Sequence, residues 1–192
     1  CVFSLNFVCF YTAVRYINSG LESVIFSMAV FFNALNSWLF FKQKPSPRFA
    51  PAACIGLLGM VLLFWHELDF GAWHVGQLTG MALAALGTFG FSLGNMLSVR
   101  HQKHGLDVFS TNAYAMLYGT LVLAVLAALF DVSLAMPMQA GFVWPLLYLA
   151  VFGSVIGFTA YFTLVKRLGA AQSAYTTLLF PLVALSISTV WE

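Results

Sequence analysis

From Val132 to Val165 the chain carries no Asp, Glu, Lys, Arg or His, and the same is true from Leu168 to Trp191. A helix needs about 20 apolar residues to cross the hydrocarbon core of a bilayer. Charged residues make up 7% of the chain and mean hydropathy is +0.92, against about 25% charged residues in an ordinary soluble domain. Such a chain has too few charges to cover its own surface in water. The expected class is an all-α polytopic membrane protein. The net charge of +2 is too small to point to nucleic acid, so no nucleic-acid partner is expected. Cys1, Cys9 and Cys54 form no C-x-x-C pattern and read as small apolar packing residues. The chain opens at Cys1 inside an apolar run with no charged segment before it, unlike a signal peptide, and reads as a fragment cut at both ends.

Polar and Pro/Gly breaks divide the chain into seven candidate spans: A (1–15), B (20–41), C (49–65), D (77–99), E (109–130), F (142–165) and G (171–191). Alternate connectors face the same compartment. Lys42, Lys44 and Arg48 lie between B and C, Arg100 and Lys103 between D and E, and Lys166 and Arg167 between F and G. Arg15 alone, of the eight basic residues, falls on the other side. Basic residues mark the cytoplasmic face, so connectors 42–48, 100–107 and 166–170 are expected inside, with the protein in the cell's inner membrane. Lys166 and Arg167 read chiefly as anchors of that topology, with an inner gate for anionic solutes as the other reading. The acids lie mostly opposite (Glu22, Glu67, Asp69, Asp131 and Glu192, with Asp107 inside). Trp38, Trp65, Trp73, Trp144 and Trp191 fall near span ends, as amphipathic rings prefer.

Shifted by 151 positions, the phrase around Arg15 aligns with the phrase around Lys166: Phe7 meets Phe158, Thr12 meets Thr163, Val14 meets Val165 and Arg15 meets Lys166. The identities are sparse, but they make span F echo A and span G echo B. The repeat unit is then five spans. An odd unit places its second copy upside down, which agrees with one basic residue after A and two after F. Inverted repeats of this kind occur in transporters, whose substrate site lies between the repeats.

Three stretches carry a family resemblance. "AVRYINSGLESVIFSMAVFFNALNSWLFF" (13–41) with "IGLLGMVLLF" (55–64) resembles the end of the first repeat of EamA-type transporters of the drug/metabolite transporter superfamily. "LAALGTFGFSLGNMLSVR" (83–100) resembles the helix that opens the second repeat, and "SVIGFTAYFTLVKRLGAAQSAYTTLLFPLVALSISTVWE" (154–192) resembles its later part. The resemblance implies ten helices in two inverted five-helix repeats, seven of them seen here, with inner termini and export or exchange of small metabolites. Residues 1–65 then close a first repeat, 66–76 form an outer connector, and 77–192 form a second repeat lacking its last helix. The family often has Pro where this chain has Val30, and keeps it here as Pro181. It often ends the helix matching span B with Gly-Glu, where this chain has Lys42-Gln43.

No acidic or basic residue is expected deep in a span, which argues against a charged proton relay. The candidates are uncharged. Glu22, Phe26, Ala29, Asn33, Asn36 and Ser37 share one helical face of span B; Thr88, Ser92 and Asn95 share one of span D. Span E offers Thr111, Tyr114 and Tyr118, and span G offers Ser173, Thr177, Ala184 and Ser188 beside Tyr175 and Thr176. Asn6 lies in span A, and Thr159 and Tyr161 in span F. Substrate contact is assigned to Asn6, Asn33, Asn36, Thr88, Ser92, Asn95, Tyr114, Tyr118, Tyr161, Tyr175 and Thr177; the competing reading is helix-to-helix adhesion by small polar groups. Gly76/Gly80, Gly90/Gly94 and Gly153/Gly157 have the spacing that lets helices approach closely. Pro181 leaves the Thr177 carbonyl without its helical donor and can kink span G.

The expected function is a secondary transporter that moves a small organic solute, such as an amino acid or a neutral or aromatic metabolite, by alternating access. Its partners are the lipid bilayer and that solute; no catalytic residue, metal or cofactor is called for, and nothing in the sequence sets an oligomeric state. The alternative is a membrane-embedded enzyme or a sensor without flux. An enzyme would draw on His66, Glu67, Asp69 and His74 in the outer connector.

Overall fold

The computed structural model describes residues 3–44, 47, 49–63, 65, 75–132 and 139–179, and among these every regular element is helical. In chain order they are α1 (Leu5–Ala13), α2 (Ser19–Ser27), α3 (Ala29–Phe41), α4 (Phe49–Leu63), α5 (Val75–Lys103), α6 (Val108–Leu129), α7 (Ala140–Tyr148), a π-helical stretch (Leu149–Ile156), α8 (Gly157–Leu168) and α9 (Ala170–Ser173), which runs into a 3-10 turn (Ala174–Leu178). The expectations resting on 66–74, Arg48, Pro181, Ala184, Ser188, Trp191 and Glu192 lie outside the described residues.

Four described stretches are long and apolar enough to cross a membrane: Ser19–Phe41, Val75–Lys103, Val108–Leu129 and Ala140–Leu168. They correspond to spans B, D, E and F. Span A is a helix of 9 residues, span C a helix of 15, and span G is described only as far as Leu179.

Span D is longer than expected. Helix α5 continues through Arg100, His101 and Lys103, well past the apolar run, before Gly105 at φ 78 turns the chain. Its 29 residues reach about 44 Å at 1.5 Å per residue, beyond the ~30 Å hydrocarbon core. Cations in the last turn meet the negative end of the helix dipole, so the basic cluster prolongs the helix instead of ending it. Lys166 and Arg167 repeat the arrangement at the end of α8, which Gly169 closes at φ 86.

Span B is broken. The Met28 N–H donates to the Ile25 carbonyl, a step of three where a helix uses four, and separates α2 from α3. Ser23 and Ser27 donate their hydroxyls to the carbonyls four residues back, at 2.8 and 2.9 Å. Back-bonding of this kind competes with the backbone ladder and bends helices.

Helix α5 is the hub. Ala13, Ile17, Leu21, Ile25 and Ala84 pack α1 and α2 onto its first half. Ala29, Phe91, Met96, Val108, Phe162, Val165 and Ala170 join its second half to α3, α6, α8 and α9. Val30, Ala34, Phe49, Ala53 and Ala174 seat α4 and the turn after α9 on the far side of α3. Gly80 permits a close approach, since a Cβ there meets Ile17 Cγ2 and Tyr16 Cβ at 2.8 Å. By contrast α6, α7 and the π-helical stretch turn large apolar side chains outward, among them Leu121, Val125, Leu147 and Leu149. In a multi-pass membrane protein such a surface faces lipid.

The basic connectors gather at one end. Lys103 Nζ stands 4.0 Å from the centre of the Phe41 ring, one residue before Lys42, and Gln102 donates to the Phe162 carbonyl near the end of α8. Tyr16, next to Arg15, lies instead against Gly76 and Gly80 at the other end of α5. Among the described residues, the basic ends of α3, α5 and α8 are therefore neighbours, and Arg15 stands apart from them.

Candidate functional site

Two polar ties bind α3 to α5. Asn36 Nδ2 donates to Ser92 Oγ at 2.8 Å, and Asn95 Nδ2 donates to Asn33 Oδ1 at 3.2 Å. The spacing follows from helical periodicity, because Asn33/Asn36 and Ser92/Asn95 each lie three residues apart and face the same side. Ser37 adds a hydroxyl donated to Met96 Sδ at 3.7 Å, and Thr88 bonds back to the Ala84 carbonyl at 2.8 Å. Asn33, Thr88, Ser92 and Asn95 have no solvent exposure.

Asn95 also donates to the Tyr161 hydroxyl of α8, at 3.0 Å. That hydroxyl is where the buried polar core meets open space. A cavity of about 880 Å³ runs between α1, α2, α5 and α8, and Tyr161 lines it. So do Asn6, Phe10 and Val14 of α1, Glu22 and Phe26 of α2, Phe91 of α5, and Gly157, Phe158 and Leu164 of α8. The aromatic rings form a continuous wall: Phe10–Phe26 at 5.4 Å, Phe26–Phe91 at 5.3 Å and Phe91–Tyr161 at 5.6 Å between centroids. Gly153 borders the cavity from the π-helical stretch, where a Cβ meets only Leu149 Cδ2, at 3.7 Å.

Hydrogen-bond capacity is left over at this site. Asn6 Oδ1, Glu22 Oε1, Asn33 Nδ2 and Asn95 Oδ1 are buried and without partners. Buried polar atoms are paired in the great majority of cases, so each unused one calls for a partner beyond the protein's own groups, whether ordered water or a bound solute. Asn33 thus keeps a free donor group and Asn95 a free acceptor.

The structure brings seven of the sequence candidates together: Asn6, Asn33, Asn36, Thr88, Ser92, Asn95 and Tyr161. Asn6 and Tyr161 reach the cavity; the others stand behind it. The remaining four lie elsewhere. Tyr114 and Tyr118 are 62% and 64% exposed on the outer face of α6. Tyr175 donates to the Phe49 carbonyl at 3.0 Å and fastens α4, while Thr177 bonds back to the Ala174 carbonyl at 2.6 Å. Sequence reasoning passed over the wall rings Phe10, Phe91 and Phe158, and the tie from Asn112 to Thr159 at 3.1 Å. It placed Glu22 near an outer span end and read the cavity as uncharged. The structure puts Glu22 in the lining, on the inward face that already carries Phe26 and Asn33.

Comparison with known proteins agrees with a membrane carrier. The EamA-like transporter family matches residues 1–65 and 78–192. The uncharacterized transporter YoaV of Bacillus subtilis is 21% identical over 176 residues, 90% of this chain and 58% of the relative. Protein PagO of Salmonella typhimurium is 24% identical over 175 residues, 90% of this chain and 56% of the relative. The chain thus spans less than two thirds of the length of these relatives. No solved structure matches.

Proposed function

Because the chain belongs to the EamA-like transporter family, we propose that it carries a small organic solute across the membrane through the cavity between α1, α2, α5 and α8. The observation that supports this best is the join at Tyr161. An aromatic-walled cavity of about 880 Å³ ends on a hydroxyl held by a buried amide pair with unused capacity. Ligand sites are mostly apolar, with a few placed polar groups, and this one has that composition.

In this reading the rings take up the apolar body of the solute, and Tyr161, Asn95 and Asn33 orient its polar end. Residues 1–65 close a first five-helix repeat, 66–76 connect, and 77–192 form most of an inverted second one. The two rock against each other in alternating access, with the basic connectors at 42–48, 100–107 and 166–170 on the cytoplasmic side of the inner membrane. The broken helix at Met28 and the π-helical stretch at 149–156 flank the cavity and are the local irregularities available for such a motion.

The test is flux of a panel of labelled solutes (amino acids, aromatic neutrals and amines) into proteoliposomes holding the full chain. Tyr161→Phe removes the hydroxyl and leaves one Asn95 N–H unpaired, while the other still reaches Asn33, so flux of the transported solute falls by about tenfold. Flux no greater than in empty vesicles across the panel would count against a transporter.

A further inference from the structure

Glu22 is the one acid among the described residues of the cavity lining. It stands in the first turn of α2, where the helix dipole favours the carboxylate, and its Oε1 is buried with no hydrogen-bond partner. A second unpartnered oxygen, Asn6 Oδ1, lines the same cavity from α1. Neither group can donate in the form drawn, so both await a donor. Phe10 and Phe26 pack edge to face along the same wall, and an aromatic face attracts a cation within about 6 Å of its centroid. Among the described residues of the lining there is no Lys, Arg or His.

We propose that the cavity takes the ammonium group of a small, largely apolar amine, with Glu22 and Asn6 as its oxygen acceptors and Phe10 and Phe26 as its aromatic faces. The inference rests on the cavity being the solute site. It narrows the substrate class by charge. A protonated amine meets an anion, a neutral acceptor and ring faces. An amino acid brings the same ammonium but also a carboxylate, which finds no cation in the described lining and is repelled by Glu22. A neutral alcohol of the same shape fills the space and donates one hydrogen bond to the carboxylate, but leaves its charge without a counter-charge. Discrimination of this kind is strong where a buried polar group of the site goes unmatched.

Three probes with one ring and one spacer separate these cases: 2-phenylethylammonium, 2-phenylethanol and phenylalanine. Their binding to the purified full chain in detergent is measured by calorimetric titration at pH 7. The ammonium is expected to bind at least about tenfold more tightly than the alcohol and than phenylalanine. In Glu22→Gln that preference over the alcohol collapses, while affinity for the alcohol stays within about twofold. Equal binding of amine and alcohol by the unaltered protein, no binding of the amine, or a preference that survives Glu22→Gln overturns the proposal. If Glu22→Gln does not fold, the wild-type comparison still decides, and Phe26→Leu, which removes one aromatic face, is expected to weaken the amine more than the alcohol. Flux separates this proposal from the transport reading. Binding preference with no flux of any solute contradicts transport and leaves the ammonium site standing. Flux of neutral or zwitterionic solutes that ignores Glu22→Gln, with no preference for the amine, leaves transport standing and sinks the ammonium site.

Discussion

The interface of α3 with α5 and the cavity between α1, α2 and α8 are built from the same residue types, yet they do opposite things. Asn36 and Ser92 satisfy each other between two packed helices, and the contact is closed. Asn6 sits on a helix as apolar as α3, but its Oδ1 is left without a partner beside open space. Asn95 belongs to both regions, since it donates to Asn33 on one side and Tyr161 on the other and still keeps a free acceptor. An asparagine in a membrane helix is therefore an adhesive or a ligand according to whether the opposing helix supplies its complement. The residue type alone does not decide.

The contrast can be broken from either side. The largest effect is expected at Gly80→Val. The new Cβ collides with Ile17 and Tyr16 at 2.8 Å and approaches the Ala13 carbonyl at 3.3 Å, so α1 must leave α5. Overpacking of this kind costs about 3 kcal/mol. Denaturation of the purified protein should report that loss, and solute affinity should fall with it because α1 is a cavity wall.

Asn36→Ala comes next. It removes the closed tie and leaves Ser92 Oγ unpaired, a loss of about 1–2 kcal/mol. Stability should fall by that amount with solute affinity unchanged. An affinity loss as large as that of Asn6→Ala would erase the distinction between the two regions.

A gain of about 1 kcal/mol is expected from Lys42→Gly. Lys42 holds φ 55 and ψ 22 at the end of α3, where its N–H donates to Trp38 and the N–H of Gln43 to Ser37. Glycine adopts this left-handed cap without a Cβ penalty. The variant should tighten the polar core against thermal unfolding and leave the cavity untouched.

The smallest effect lies outside both regions. Asp107 caps α6, and its carboxylate accepts from the Ser110 N–H at 3.0 Å. That backbone hydrogen bond, first among the causes, holds its pKa below the ordinary aspartate value. A lowered folded pKa means that the stabilisation is complete above the unfolded value of about 3.9 and is lost as pH falls through the lower, folded one. In Asp107→Asn that charge-linked stabilisation is absent, so stability should be slightly lower at pH 7, unchanged in strong acid, and the acid limb of the profile flatter.

Much of the fold could be read from residues alone, for identifiable reasons. Span E, expected over 109–130, is α6 at Val108–Leu129, because Asp107 supplies a cap and Asp131, at φ 51, ends the apolar run. The grouping of basic connectors followed from eight charges. The length of α5 did not, since hydropathy stops at Val99 while the helix runs on to Lys103 through residues that are polar but good helix formers. The break at Met28 was hidden in two serines whose hydroxyls turn back on the backbone.

The site divided along a similar line. Asn33, Asn36, Ser92 and Asn95 were visible because amides and hydroxyls are rare in a membrane helix and recur at helical spacing. Phe10, Phe91 and Phe158 were not, because in a helix that is apolar all round nothing distinguishes a ring facing lipid from one facing a cavity. Tyr161 and Tyr114 make the same point: equivalent in sequence terms, one bonds a buried amide and the other is 62% exposed.

The central claim is that the solute passes through the aromatic-walled cavity. Gly153→Trp tests it most directly, because Gly153 borders that space and an added Cβ meets only Leu149 of its own helix, at 3.7 Å. The indole should project into the cavity and narrow it without disturbing a helix contact among the described residues. The account predicts that solute flux in proteoliposomes falls sharply while the thermal unfolding of the purified protein is unchanged. A folded Gly153→Trp protein with undiminished flux would contradict it.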